Sequence, residues 1–217
     1  MLKRVTWIIA LATFGFATAA HAEGSKDEGP KGACEGVSFP TDDEDCLIEL
    51  AQDGGFVLYT RHVRTETDFA DQDDPTTNLD NCNLQRVVSD EGWDQAVVLR
   101  EAIEDNDIPI RGVTSSQFCR AWQTAVQMYG RLSRKTADLN FITEEECADE
   151  PDLGACLDRK AVENLSPLLS RKVRKGKNRA LVAHDDPFKS ISGYYPFPMG
   201  ATYLVKPLGR KKGFEVL

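Results

Sequence analysis

The stretch from Gly55 to Arg64, GFVLYTRHVR, poses the question from which the rest of the chain can be read. Phe56 to Thr60 form a short apolar run behind the paired glycines Gly54 and Gly55, and the run ends abruptly in Arg61-His62, with a further arginine at position 64. A run of this length and composition reads as a buried strand. The charges that end it are harder to place. Two guanidinium groups so close in sequence repel each other, and neither helps to bury the run before them. An anion bound between them removes the conflict.

Working outward, strands and helices alternate. Upstream, Asp43 to Gln52 puts Cys46, Leu47, Leu50 and Ala51 on one helical face, and Gly54-Gly55 stops it. Downstream, residues 64–84 are polar and aperiodic and read as a long loop; loops of this length are commonly functional. Ser89 caps a predicted helix reaching Asp105, with Trp93, Ala96, Val97, Leu99 and Ile103 on its apolar side. Arg111 to Ser115 is a second predicted strand and Phe118 to Leu132 a second long helix. Residues 141–158 read as an inserted, disulfide-pinned loop, and Lys160 to Leu169 as a helix interrupted by Pro167. Predicted strands follow at Arg179 to Ala183, Ala201 to Lys206 and Gly213 to Leu217. This alternation predicts an α/β fold of three layers, a mostly parallel sheet with helices on both faces.

The chain has 217 residues, which suits one domain. Lys3 and Arg4, the apolar run Val5 to Phe16 and the small residues around Ala20-His21-Ala22 form an export signal, with cleavage expected after Ala22. The expected organisation is a signal at 1–22, a mobile Gly-, Lys-, Glu- and Pro-rich leader at 23–40, and one domain at 41–217. Localisation is therefore expected to be periplasmic or secreted, with no membrane span after cleavage. Loss of Lys3 and Arg4 takes the formal charge from −9 to −11, an acidic balance that argues against nucleic acid or an anionic membrane as a broad partner. No motif specifies an oligomeric state. The six cysteines, Cys34, Cys46, Cys82, Cys119, Cys147 and Cys156, read as disulfides in an oxidising compartment. Sequence alone leaves their connectivity open; proximity favours Cys34 with Cys46 and Cys147 with Cys156, leaving Cys82 with Cys119. No CxxC is present and two histidines survive cleavage, so neither a metal nor a cofactor is expected. The Asp-rich segment 68–80 lacks the spaced glycine of an EF-hand loop and reads as solvated. The cationic run Arg171 to Lys175 likewise reads as a solvated face.

Three predicted strands lead to polar groups of one kind. FVLYT runs into Arg61-His62, GVTSS leads towards Arg120, and RALVA runs into His184-Asp185. Ligands of open α/β sheets bind beyond the carboxyl ends of the strands. Parallel strands would bring Arg61, His62, Arg120 and His184 together there. Two imidazoles among guanidinium groups suit phosphoryl transfer to a histidine: one ring attacks phosphorus, and the cations hold the oxygens over which charge spreads.

At these residues the chain resembles a known family. LYTRHVRTE is similar to the Arg-His-Gly signature of the histidine phosphatase superfamily, which includes phosphoglycerate mutases and acid phosphatases. LQRVVSDEGWDQA, GVTSSQFCRAWQTA and ALVAHDDPF resemble three further family segments, in the right order, so the likeness spans most of residues 55–205. The resemblance implies a phosphoglycerate mutase-like fold, a small phosphorylated substrate and His62 as the nucleophile. It gives Arg61, Arg120 and His184 a place in the phosphate pocket, with Arg64 and Thr65 contacting substrate or phosphate. It implies Asp185 as the acid for the leaving group, with Glu144, Glu145 and Glu146 as the alternative that the mutase branch offers. The nearest likeness is to small exported bacterial members, in which Cys82 and Cys119 would staple the polar loop beside Arg120. One departure is Val63 in place of the signature glycine, which adds bulk where the backbone passes the pocket. The alternative reading is a non-catalytic phosphate-binding or envelope-interaction module with a degenerate pocket.

Overall fold

A computed structural model describes residues 32–67 and 78–217. The export signal at 1–22, the leader up to residue 31 and most of the Asp-rich segment (68–77) lie outside the described residues. Six strands form one sheet in the order β3-β2-β4-β1-β5-β6. They are β1 (Val57–Arg61), β2 (Ile110–Ser115), β3 (Arg134–Lys135), β4 (Asn178–Ala183), β5 (Thr202–Gly209) and β6 (Gly213–Val216). Neighbours among β1 to β4 pair parallel, while β5 pairs antiparallel with both β1 and β6. The expected mostly parallel sheet is present, closed at one side by an antiparallel hairpin.

Alternation along the strands sorts side chains onto two faces. Leu58, Ala180, Val182 and Leu204 point to one face, where they pack with Ala96, Leu99 and Ile103 of α2 (Asp90–Asp105) and Ala121, Ala125 and Met128 of α3 (Cys119–Tyr129). Ala51 of α1 (Glu44–Asp53) joins that cluster. Val57, Tyr59, Leu181, Ala183 and Val205 point the other way. They meet Leu165 and Leu169 of α4 (Leu153–Ser170) and Phe188 of α5 (Asp185–Ser192), with the Tyr59 and Phe188 rings stacked at 4.2 Å. Each large apolar side chain buried in this way contributes about 1.5–3 kcal/mol. Three layers result.

Two local devices bring α2 to the carboxyl end of β1. Ser89 caps the helix by accepting from the Gly92 N–H at 3.1 Å, and its own N–H donates to the Arg64 carbonyl at 3.2 Å. A Cβ on Gly92 would lie 2.0 Å from that same carbonyl oxygen. Only glycine lets the chain after His62 pass so close to the helix.

Some expectations need correction. Helix α4 starts at Leu153, inside the segment read as loop, because the Asp152 carboxylate accepts from Ala155 N at 3.0 Å and starts the helix there. Pro167 does not interrupt it. The carbonyl deprived of a partner belongs to Glu163, on the solvent side, where water can satisfy it. Strand β3, two residues long, was not expected from so polar a pair. The Val63 side chain is fully buried in the core beside α2 and α3, so its extra bulk fills the interior and not the pocket. Disulfides join Cys34–Cys46, Cys82–Cys119 and Cys147–Cys156, the pairing that proximity favours. The first anchors the end of the leader to α1, and the second ties the long loop to the first residue of α3.

Candidate active site

Register alone sets the two histidines side by side. In the parallel pair β1–β4, Arg61 is level with Ala183, so His62 and His184 each leave the sheet one residue later. The His62 N–H donates to the Ala183 carbonyl at 3.0 Å, and the ring centroids lie 5.5 Å apart, edge to face. Both residues are buried, at 4% and 1% exposure, so the imidazoles sit in a low-dielectric pocket and not at the rim. The strand β2 next to β4 delivers Ser116 to the same place, its N–H donating to the Val182 carbonyl at 2.9 Å.

The first imidazole has its protonation pattern fixed by the backbone. His62 Nδ1 lies 2.8 Å from the Val63 carbonyl, which can only accept, so Nδ1 carries the proton and Nε2 keeps its lone pair. The second ring is held through Nε2, 3.0 Å from Ser116 Oγ, and is flanked edge-on by Phe118 at 5.1 Å and Phe141 at 6.1 Å. The Tyr59 hydroxyl donates to the His184 carbonyl at 2.6 Å from the opposite side of the sheet. Thr124 links the segment after β1 to α3: its hydroxyl accepts from Val63 N at 3.1 Å and donates to the Arg120 carbonyl at 2.7 Å.

Three guanidinium groups act on these rings. Arg120, 2% exposed, has its Cζ 4.6 Å from the centre of the Phe118 ring that also flanks His184. Arg61, 8% exposed, is turned towards α5: it pairs with Asp185 at 2.5 Å and donates to the Pro196 carbonyl at 3.0 Å. The third, Arg86, was not singled out by the sequence reading, although it stands in the LQRVVSDEGWDQA segment. It donates to Thr65 Oγ1 and to the Glu66 carbonyl, and its charge reaches both imidazoles. Burial, and after it the charge of Arg120, push both imidazoles well below their usual basicity, with Arg61 and Arg86 adding to the effect. Both rings are therefore neutral near pH 7.

The other predicted residues lie nearer the rim. Thr65 is buried and bridges to Val88, whereas Arg64 is half-exposed and pairs with Glu91 at 2.9 Å. Asp185 also accepts from the Tyr195 hydroxyl at 2.7 Å. The next carboxyl, Asp186, has its proton affinity raised, first by burial and then by the Asp185 charge. Glu144 to Glu146 sit apart on an exposed turn, and Glu146 is held by the Thr143 N–H at 3.1 Å. Two clefts are lined by sequence neighbours of the site residues, and neither is lined by an imidazole. One, of about 580 Å³, lies between Arg64 to Thr67, the start of α2 and Phe197 to Met199. The other, of about 520 Å³, lies between Phe141, Glu144 and Asp186. A more apolar cleft of about 460 Å³, behind Gln95 and Leu99, contains none of the charged site residues.

No protein-family model matches the sequence, and no curated protein is similar to it at sequence level. Solved structures are similar in fold. An α-ribazole phosphatase from Shigella flexneri superposes with a TM-score of 0.50 at 12% identity, covering 75% of this chain and 94% of that one. The protein histidine phosphatase SixA bound to tungstate gives 0.46 at 18% identity, over 75% and 94% of the two chains. A mycobacterial glucosyl-3-phosphoglycerate phosphatase gives 0.48 at 16%, over 76% and 97%. These structural neighbours are members of the histidine phosphatase superfamily, and the α/β architecture here is the phosphoglycerate mutase-like one.

Proposed function

We propose that the chain is an exported histidine phosphatase that hydrolyses phosphomonoesters through a phosphohistidine on His62. One observation carries the reading. The Nδ1 proton of a buried, neutral His62 is committed to the Val63 carbonyl, which leaves the Nε2 lone pair beside a second imidazole and within the field of three guanidinium groups. Nε2 forms a bond to phosphorus as the bond to the leaving oxygen breaks, and that oxygen takes a proton and departs as the alcohol. Water then attacks phosphorus, the P–N bond returns its electron pair to Nε2, and inorganic phosphate leaves. Arg120, Arg86 and Arg61 stabilise the charge on the equatorial oxygens, and Arg64 and Thr65 contact the substrate from the rim. Asp185, the residue after His184, supplies the proton to the leaving oxygen and takes one back from the water.

A second reading is favoured by a specific contact. Asp185 is engaged by both Arg61 and Tyr195, which suits a phosphate-binding module without a competent acid. The two readings separate on a substrate that needs no acid. Purified residues 23–217 should release phosphate from an activated aryl phosphate, with inhibition by vanadate, and His62→Ala should abolish release. Asp185→Asn should then slow alkyl phosphates more than aryl ones. Phosphate binding without any turnover would establish the module instead. Export is supported by the signal-like start and by three disulfides; protein recovered from the cell envelope should begin at Glu23, an intact Met1 there would mean an uncleaved N-terminal anchor, and recovery in the cytoplasm alone would refute export.

A further inference from the structure

We propose that Ser116 and Asn140 are positioning residues that hold His184 as its Nε2–H tautomer, making Nδ1 the atom that takes up a proton when an oxyanion binds. This rests on the phosphatase reading above and adds to it where the proton sits.

The assignment follows from a chain of hydrogen bonds with one consistent direction. The main-chain N–H of Gln117 points at Asn140 Oδ1 at 2.9 Å, and Asn140 Nδ2 points at Gln117 Oε1 at 3.0 Å, so the amide orientation is settled by an obligate donor. An amide oxygen cannot donate. Ser116 Oγ, 2.9 Å from the same Oδ1, must therefore spend its single proton there. The Phe118 N–H already donates to that hydroxyl at 3.1 Å. With its proton committed, Ser116 can only accept from His184, and the 3.0 Å contact requires a proton on Nε2. Ser116 is fully buried, so water does not compete for these bonds. Phe118 and Phe141 stand edge-on to the imidazole and restrict its rotation.

The two histidines are thus held as opposite tautomers: His62 keeps its lone pair on Nε2, His184 on Nδ1. The charged and titratable groups around His184 are His62, Arg61, Arg86 and Arg120, with Asp185 as the next residue. With no anion bound, burial and after it the cations keep His184 neutral. A fully ionised oxyanion offers only acceptors, which a lone pair on Nδ1 repels. Its charge offsets that of the surrounding guanidinium groups, and the imidazole protonates at Nδ1 to become a donor. Binding of a dianion therefore carries about one proton with it, and the relay decides which nitrogen receives it.

Tungstate, which brings no proton of its own near pH 8, tests this. In protein labelled with ¹⁵N-histidine, free His184 should show a protonated Nε2 and a lone-pair Nδ1. Calorimetry in buffers of differing ionisation enthalpy should find uptake of about one proton per tungstate. Ser116→Ala frees the ring to carry its proton on Nδ1, and uptake should fall towards zero; Ser116→Thr, which keeps the hydroxyl, should retain both tautomer and uptake. A merely structural role would alter affinity and leave the proton count unchanged. A proton on Nδ1 in the free wild type, or equal uptake in wild type and Ser116→Ala, would overturn the proposal. Failure to bind tungstate would sink the phosphatase reading and the proton coupling with it, while the tautomer is read from the free protein either way.

Discussion

The two ends of the parallel strands treat positive charge in opposite ways. At the carboxyl ends of β1 and β4, Arg61 and Arg120 are buried, at 8% and 2% exposure. Beyond the amino ends, Arg171, Lys172, Arg174, Lys175 and Lys177 meet the turn of Arg210, Lys211 and Lys212, and all eight are exposed. The two runs come together where a Cβ on Gly209 would lie 3.4 Å from Lys172 Cε. Along the sequence the second group is by far the denser. Density of charge is the weaker signal, because an exposed cation loses little hydration and needs no partner. A buried guanidinium loses that hydration and persists only where hydrogen bonds or an anion offset the loss. Arg179, partly buried at the amino end of β4, has that loss offset by the Leu168 carbonyl; the deepest burial marks the end that carries the two imidazoles.

The largest effect that tests the contrast lies at Arg120. Arg120→Met keeps the bulk and removes the charge, and should lower kcat on an aryl phosphate by roughly 10²–10³-fold, the loss typical of one preorganised charge-stabilising donor. Circular dichroism and a thermal melt on the same preparation separate this from misfolding. A loss under about threefold would place the phosphate elsewhere.

How far these features were legible in the sequence depended on how each is encoded. Strand period and glycine stops mark β1 and β4, and two histidines at their tips stand out because parallel neighbours must end together. Arg86 did not stand out. It precedes a helix cap at Ser89 and not a strand tip, and its approach depends on the bridge between Thr65 and Val88, which no local pattern announces. Ser116 and Asn140 were missed for a related reason: their partnership spans 24 residues and rests on hydrogen-bond direction, whereas periodicity reports only side-chain faces. The start of α4 was hidden because Cys147 and Cys156 made the segment read as a disulfide-pinned loop, while the helix is started by the Asp152 cap. Val63 shows the reverse error. Its bulk looked like an obstruction because sequence gives no direction for a residue just past a strand.

A smaller effect contrasts the ends through protons. Both site histidines are far less basic folded than unfolded, and the exposed basic end carries no histidine. Below about pH 6.5 the unfolded chain protonates them while the folded chain does not, so the unfolded state binds more protons and stability falls as pH falls. Above that value the two states bind alike and this contribution is fully present. Each histidine adds a slope of up to about 1.4 kcal/mol per pH unit. Denaturant melts at pH 7.5, 6.0 and 5.0 should show His184→Asn flattening the decline by one such share. Superimposable curves would mean that the ring is protonated in the folded protein.

The smallest effect is expected where the charge is densest. The triple replacement Lys172→Ala, Arg174→Ala and Lys211→Ala removes three exposed cations, none of which has an ion-pair partner among the described residues. Stability should change by no more than about 0.5 kcal/mol per site, and kcat by less than about twofold, since mobile ions screen charges many ångströms from the imidazoles. KM for an anionic substrate is the more sensitive readout, because loss of distant positive charge slows encounter more than chemistry. A fall in kcat to match that of Arg120→Met would show that the exposed end takes part in the reaction, and burial would no longer distinguish a working cation from a solvated one.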